Sequence, residues 1–211
     1  MSVDLRGVYK RLAAHFGPQH WWPGDSAFEI SVGAILTQNT NWSNAALAIA
    51  NLKKERVLHP ARLYKLGSRK TAQLIRPSGY YRLKTKRLRS FLRLVISSYG
   101  GSLMRMGRVP LPELRSELLT VNGIGPETAD SILLYAFGKP SFVVDAYTKR
   151  IFSRHHLISD LETYDEVQSY CVERLPQDPG IFNEFHALIV RLGKEYCLKN
   201  NPKCNSCPLA L

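Results

Sequence analysis

Four groups of residues along the chain have types and spacings that could do chemistry. In the stretch VNGIGPET, Gly123 and Gly125 stand two apart and Pro126 follows, at a place where the first residue of a helix loses nothing by lacking an N–H. Glycines let another backbone approach closely, so amides there, with the dipole of the following helix, could hold a phosphate oxygen. A bare GxG could equally be a plain turn between two helices. About twenty residues on, Asp145 follows Val143 and Val144 and opens the run AYTKR, where an aspartate caps a helix well. Cys197, Cys204 and Cys207 are spaced C-x6-C-x2-C. Clustered thiols in a chain with no secretory features point to metal ligation before disulfides. All three tryptophans, Trp21, Trp22 and Trp42, lie in the first fifth of the chain, where such residues are ordinarily core.

The composition limits what these groups can serve. The chain has 211 residues, 45% of them apolar and 22% charged, which is enough for one large or two small globular domains. Lys and Arg number 29 against 17 Asp and Glu, a formal net charge of +12 that suggests a polyanionic partner. A merely basic soluble protein is the plainer alternative. The N-terminal run MSVDLRGVYKRLAAHFG has no unbroken apolar stretch, and no later run reaches the ~20 residues needed to cross a bilayer. An intracellular, cytoplasmic protein acting as a monomer without a membrane is therefore expected.

The elements that must position these residues read as helices nearly throughout. Ser26 and Glu29 have capping-box spacing, and Phe28, Val32, Ile35 and Leu36 recur on one helical face behind them. After the polar break TQNTN, Trp42, Ala45, Ala46, Ile49 and Leu52 mark a second helix, with Thr40 or Asn41 as its cap. Further helices are predicted over 60–75, 84–99, 111–120, 126–137, 146–155, 163–174 and 179–197, each bounded by Pro, Gly or Asx residues. No stretch alternates as a strand would, so the predicted fold class is all-α.

The combination LxxVNGIGPETA, a helix, then VVDAYTKR, resembles the helix-hairpin-helix DNA glycosylases of the endonuclease III superfamily, over nearly the whole chain. That resemblance implies a six-helix barrel over residues 25–137 carrying the hairpin. It also implies a second helical domain, built from 1–24 and 138–211, that holds the catalytic aspartate and a cysteine loop. DNA is expected to cross between the two, with Asp145 as the catalytic carboxylate. Cleaving an N-glycosidic bond builds positive charge on the sugar, which a fixed carboxylate can stabilise while orienting water. Strand-cutting members carry a lysine two residues after the second hairpin glycine. Here that residue is Glu127, which cannot form an imine, so base removal without strand cleavage is expected.

HWWPGD followed by GAILTQNTNW is similar to the 3-methyladenine DNA glycosylase III branch, and by motif position Trp21, Trp22, Pro23 and Trp42 would contact the extruded base. An alkylated purine is cationic and weakly bonded, which suits an electron-rich aromatic slot. Gln38 falls where members insert a polar side chain into the gap left in the duplex, with Asn39 beside it; a surface glutamine is the plainer reading. Hairpin contacts to DNA are expected from Gly123, Gly125, Pro126, Glu127 and Thr128. Contacts to the opposite strand are expected from Arg76, Ser78, Gly79 and Tyr80 of the basic run RPSGYYRLKTKRLR.

The cysteine spacing matches the first three ligand positions of the superfamily's [4Fe–4S] loop, whose fourth would fall at position 213, beyond Leu211. A structural iron–sulfur cluster is expected, with zinc or no metal as alternatives. The histidines, His155, His156 and His186 among them, show no ligand spacing. The function expected is a monofunctional glycosylase for alkylated purines in duplex DNA. A glycosylase for oxidised pyrimidines or mismatched bases, and a non-catalytic DNA-binding module, are the alternatives.

Overall fold

A computed structural model of the chain describes residues 4–210. The regular elements among them are all helical, as expected: α1 (Leu5–Phe16), α2 (Ala27–Thr37), α3 (Trp42–Lys54), α4 (Pro60–Leu66), α5 (Ser68–Leu74), α6 (Tyr81–Tyr99), α7 (Leu103–Gly107), α8 (Leu111–Thr120), α9 (Pro126–Ser131), α10 (Ala146–Arg154), α11 (Tyr164–Arg174) and α12 (Pro179–Glu195). Short 3-10 turns lie at Arg76–Ser78 and Cys204–Ser206. The chain divides into two compact units, Pro23–Lys139 and a unit of Met1–Trp22 with Pro140–Leu211.

In the unit holding α2 to α9, α2 is buried nearly all round and meets α3, α6 and α9. Phe28, Val32, Ile35 and Leu36 enter its core as their spacing predicts. Ser26 caps α2 by accepting from the Glu29 N–H at 3.2 Å. The Glu29 carboxylate leaves that cap for another task. It accepts from the Asp25 N–H at 3.2 Å and pairs with Lys53 at 2.6 Å, which ties α2 to α3. The complete capping box lies elsewhere, between Thr163 and Glu166 at the start of α11.

Two predicted elements differ in form, and one element was not predicted. The helix expected over 60–75 is two helices, because Gly67 takes φ +80°, a left-handed conformation open to glycine that ends α4 and begins α5. The helix expected over 126–137 changes pitch after Ser131 and continues as a π-helical stretch, Ile132–Ala136. The short α7 was unanticipated, since five residues carry too little periodicity to be read.

In the other unit, α12 packs against α1 and α10 through Phe182, Phe185, Leu188, Ile189 and Leu192, all fully buried. Phe185 meets Tyr9 of α1 edge-on at 5.5 Å, and Phe142 meets Phe182 at 5.4 Å. Gly193 leaves room for Tyr147, whose Cγ would lie 3.0 Å from any Cβ placed there. Arg150 then closes the end of α12, donating to the carbonyls of Gly193 at 3.1 Å and Cys197 at 3.0 Å.

Lys84 of α6 is the unusual member of the first core, at 1% exposed. Its Nζ donates to the Leu36 carbonyl at 2.7 Å and the Ser78 carbonyl at 2.5 Å, fastening the end of α2 to the 76–78 turn. Burial, aided by the charge of Arg87, lowers its pKa to about 8. Between pH 8 and the ordinary lysine value the unfolded chain therefore holds more protons, and the contribution of this group to stability rises with pH across that window. Lys84→Met leaves two carbonyls without a donor and is expected to cost about 2 kcal/mol at neutral pH. Urea unfolding should also show a stability rise between pH 8 and 10 in the parent that is missing from the variant. Equal midpoints at both pH values would show that Lys84 does not hold these segments.

Candidate functional site

Asp145 is the N-cap of α10, and its carboxylate is shaped by more than capping. Oδ1 accepts from the Thr148 N–H at 2.7 Å and from the Thr148 hydroxyl at 3.0 Å. Oδ2 lies 3.5 Å from Nε2 of His186, a buried residue of α12. The Asp145 side chain is only 13% exposed. Burial pushes its pKa up, but the His186 ring and the two Thr148 donors outweigh burial and hold it below the ordinary carboxylate range. The result is a rigid, ionised carboxylate with one oxygen fully engaged and the other facing a histidine. His186 was not anticipated as part of this site. It lies 41 positions from Asp145 with no motif joining them, and only the packing of α12 on α10 brings them together.

The hairpin between α8 and α9 treats its two glycines differently. Gly123 has φ +85°, and a Cβ there would lie 2.7 Å from Cδ of Arg87, so both its conformation and its space demand glycine. Gly125 has φ −94°, which any residue adopts, and nothing lies within 4 Å of its would-be Cβ. It caps α9 as an exposed position open to a visiting group. Pro126 is the first residue of α9, as its sequence position predicts, and Glu127 is exposed in the first turn.

Gln38 is no loose surface side chain. Its Nε2 donates to the Gly123 carbonyl and the Thr128 hydroxyl, both at 2.9 Å, and its Oε1 accepts from Arg87 at 2.5 Å. The amide expected to enter the duplex is thus bound to the hairpin in the free protein. Thr128 is buried beneath it, while the neighbouring Asn39 is exposed at φ +53°. Among the residues of the 76–80 turn, Arg76 and Tyr80 are exposed, Tyr80 at 70%. Gly79 takes φ +66° to make the turn. Ser78 is fully buried, its hydroxyl donating to the Ile75 carbonyl at 2.7 Å. Its expected contact with DNA is corrected to a structural role, because a side chain with no exposed surface cannot reach a phosphate.

Trp21 and Trp22 stand edge to face with ring centres 5.6 Å apart, both partly buried. The Trp21 indole N–H is buried without a hydrogen-bond partner. In the other unit Pro23 is exposed and Trp42 packs against the apolar core at the start of α3, which Asn41 caps by accepting from the Asn44 N–H at 3.0 Å.

Cys197, Cys204 and Cys207 line one cavity of about 450 Å³ together with Arg154, His155 and Tyr196. Arg154 donates to Cys197 Sγ at 3.3 Å and to the carbonyls of Leu198 and Lys199, so a guanidinium braces the loop beside one thiol. Burial, and the neighbouring Cys197 and Cys204, push the Cys207 thiol up. The three thiols share this cavity, but among the described residues no three His, Cys, Asp or Glu side chains are grouped closely enough to hold a metal ion. Cys171 does not line this cavity; it is buried in α11, where burial pushes its thiol far up.

Residues 32–177 match the HhH-GPD superfamily of base excision DNA repair proteins, and the chain belongs to that superfamily. It is 46% identical over 204 residues, 96% of this chain and 92% of the other, to a Methanocaldococcus jannaschii protein named as a DNA repair glycosylase. It is 29% identical over 180 residues to endonuclease III of Thermotoga maritima, covering 85% of this chain and 79% of that one. Among solved structures, the Helicobacter pylori 3-methyladenine DNA glycosylase bound to 1,N6-ethenoadenine superposes with a TM-score of 0.78 at 27% identity, over 92% of this chain and 98% of that one. A non-covalent endonuclease III–DNA complex superposes at 0.83 with 23% identity, over 97% and 91%, and shares the fold.

The contrast between the hairpin glycines gives a direct test. Gly123→Ala is expected to lower stability by about 1–2 kcal/mol, since alanine is strained at that φ and collides with Arg87. Gly125→Ala is expected to stay within about 0.5 kcal/mol of the parent. Thermal or urea unfolding of the pair checks this, and equal losses would overturn the distinction.

Proposed function

We propose that this glycosylase is monofunctional and removes an alkylated purine from duplex DNA, leaving an abasic site. The observation that carries the proposal is the Asp145 carboxylate, kept ionised although mostly buried. As the glycosidic bond lengthens, positive charge gathers on the sugar, and a carboxylate already fixed by Thr148 stabilises it without reorganising. Oδ2, which has only the longer contact with His186, is the oxygen left to face the sugar or an attacking water. Glu127 stands where an imine-forming lysine would be needed. Lys149, one turn along α10 from Asp145, donates to the Glu162 carbonyl at 2.7 Å.

The match of Trp21, Trp22, Pro23 and Trp42 to the aromatic motif supports an alkylated, cationic base, and the likeness to a 3-methyladenine glycosylase structure holding 1,N6-ethenoadenine supports a modified purine as substrate. The exposed residues Asn39, Gly125, Arg76 and Tyr80 are proposed to meet DNA. Gln38 and Thr128 act behind them through the hairpin. An iron–sulfur cluster held by Cys197, Cys204 and Cys207 would brace the tail and present Lys199 and Lys203 to phosphate, with no step of base release passing through it. The cysteine spacing favours one second reading, an oxidised pyrimidine or mismatched base as substrate.

Purified protein offered a panel of single-lesion duplexes should release alkylpurines and leave the strand whole until alkali is added. Asp145→Asn should reduce release by about a hundredfold or more while duplex affinity is kept. Because the folded pKa of Asp145 is depressed, the acid limb of the rate should fall below the ordinary carboxylate range. Pyrimidine release without alkylpurine release would replace the substrate, and full activity in Asp145→Asn would remove Asp145 from the reaction. Fresh protein should absorb broadly in the visible if the cluster forms; a colourless, zinc-loaded sample would rule it out.

A further inference from the structure

The positive charge of this chain is not spread evenly. Residues 23–139 hold 18 Lys and Arg against 7 Asp and Glu, a net of +11, while the remainder of the chain holds 11 against 10. Within that unit, residues 56–112 contain 14 cations and no acid at all. Some of these cations are spent inside the fold. Lys84 is buried on two carbonyls, Arg87 holds Gln38, Arg89 donates to the Tyr64 carbonyl across the Tyr64 ring, and Arg62 holds the Arg56 carbonyl. Others converge on solvent. A cleft of about 460 Å³ between α5 and α6 is lined by Arg69, Arg76, Arg82 and Lys86, with Ser68, Gln73, Tyr81 and Thr85 among the remaining residues and no carboxylate. All four cations are exposed, and no carboxylate pairs with any of them among the described residues.

We propose that this α5–α6 cleft is a second binding surface, separate from the hairpin, that grips the sugar–phosphate backbone of duplex DNA flanking the lesion. Four unpaired cations around one concavity repel one another, and a polyanion relieves that repulsion while releasing its own counterions. Arg82 and Lys86 lie one helical turn apart on the same face of α6, about 6 Å along its axis, a spacing that suits neighbouring phosphates of one strand. Arg76 belongs both to the cleft and to the 76–80 turn, so a strand that meets Tyr80 continues directly into the cleft. A contact made to the backbone carries no sequence information, so it is indifferent to sequence and to damage.

The inference rests on the reading of the protein as a duplex-DNA enzyme, and its test separates the two. Binding is measured by fluorescence anisotropy over a range of salt in the Asp145→Asn background, using damaged and undamaged duplexes of equal length. The triple variant Arg69→Ala/Arg82→Ala/Lys86→Ala alters exposed side chains only. It should weaken affinity about tenfold at low salt on both duplexes and make the slope of log affinity against log salt shallower by about one to two. A control variant removing the exposed charges of Lys10, Arg11 and Lys194 lowers net charge equally. Unchanged affinity and slope in the triple variant, or an equal loss in the control, overturns the cleft. Base release by the parent protein, measured in parallel, reports separately on the enzymatic reading.

Discussion

An ionised carboxylate held almost out of water is the constraint on which the rest of this protein depends. Left alone at that depth, Asp145 would take up a proton and lose its charge. Two donors from Thr148 and the facing His186 ring prevent this. The first pair comes with helix capping, since an aspartate at an N-cap accepts from the amide three residues on. The His186 contact comes from tertiary packing, because α12 must lie against α10 for the ring to reach Oδ2. Local and long-range structure thus each supply one side of the same carboxylate.

The elements of the other unit proposed to meet DNA are held by a similar economy. Three loops, the 37–41 segment, the 76–80 turn and the 122–126 hairpin, are mostly polar, with Ile124 of the hairpin the buried apolar residue among them. Two cations one turn apart on α6 fasten them: Lys84 joins the end of α2 to the turn, and Arg87 holds Gln38, which in turn holds the hairpin. The stem of Arg87 also fills the space that Gly123 leaves empty. Charge that reads in the sequence as a uniform basic helix therefore divides in two, part of it fastened inside the fold and part of it facing solvent.

Much of the framework was legible in the chain. The helical periodicity of α2, α3, α8, α10, α11 and α12, the caps at Ser26, Asn41 and Asp145, and Pro126 at the start of α9 follow from local rules, because caps and periodicity depend on neighbours within a turn or two. The break at Gly67 and the π-helical stretch after Ser131 did not read out. A lone glycine is tolerated in a helix until packing bends the chain at it, and the pitch of a buried helix is set by what it packs against.

The sequence by itself determined which side chains are available: an aspartate at the head of a helix, a hairpin with glutamate in place of lysine, three closely spaced thiols and an acid-free run of cations. Tertiary structure alone decided how they are used. It put His186 against Asp145, tied Gln38 down, buried Ser78 and Lys84, and opened a cleft between α5 and α6. The physical reason is that burial and partnership belong to pairs of distant residues, and for a charged or amide side chain they determine protonation and orientation more strongly than its own identity does.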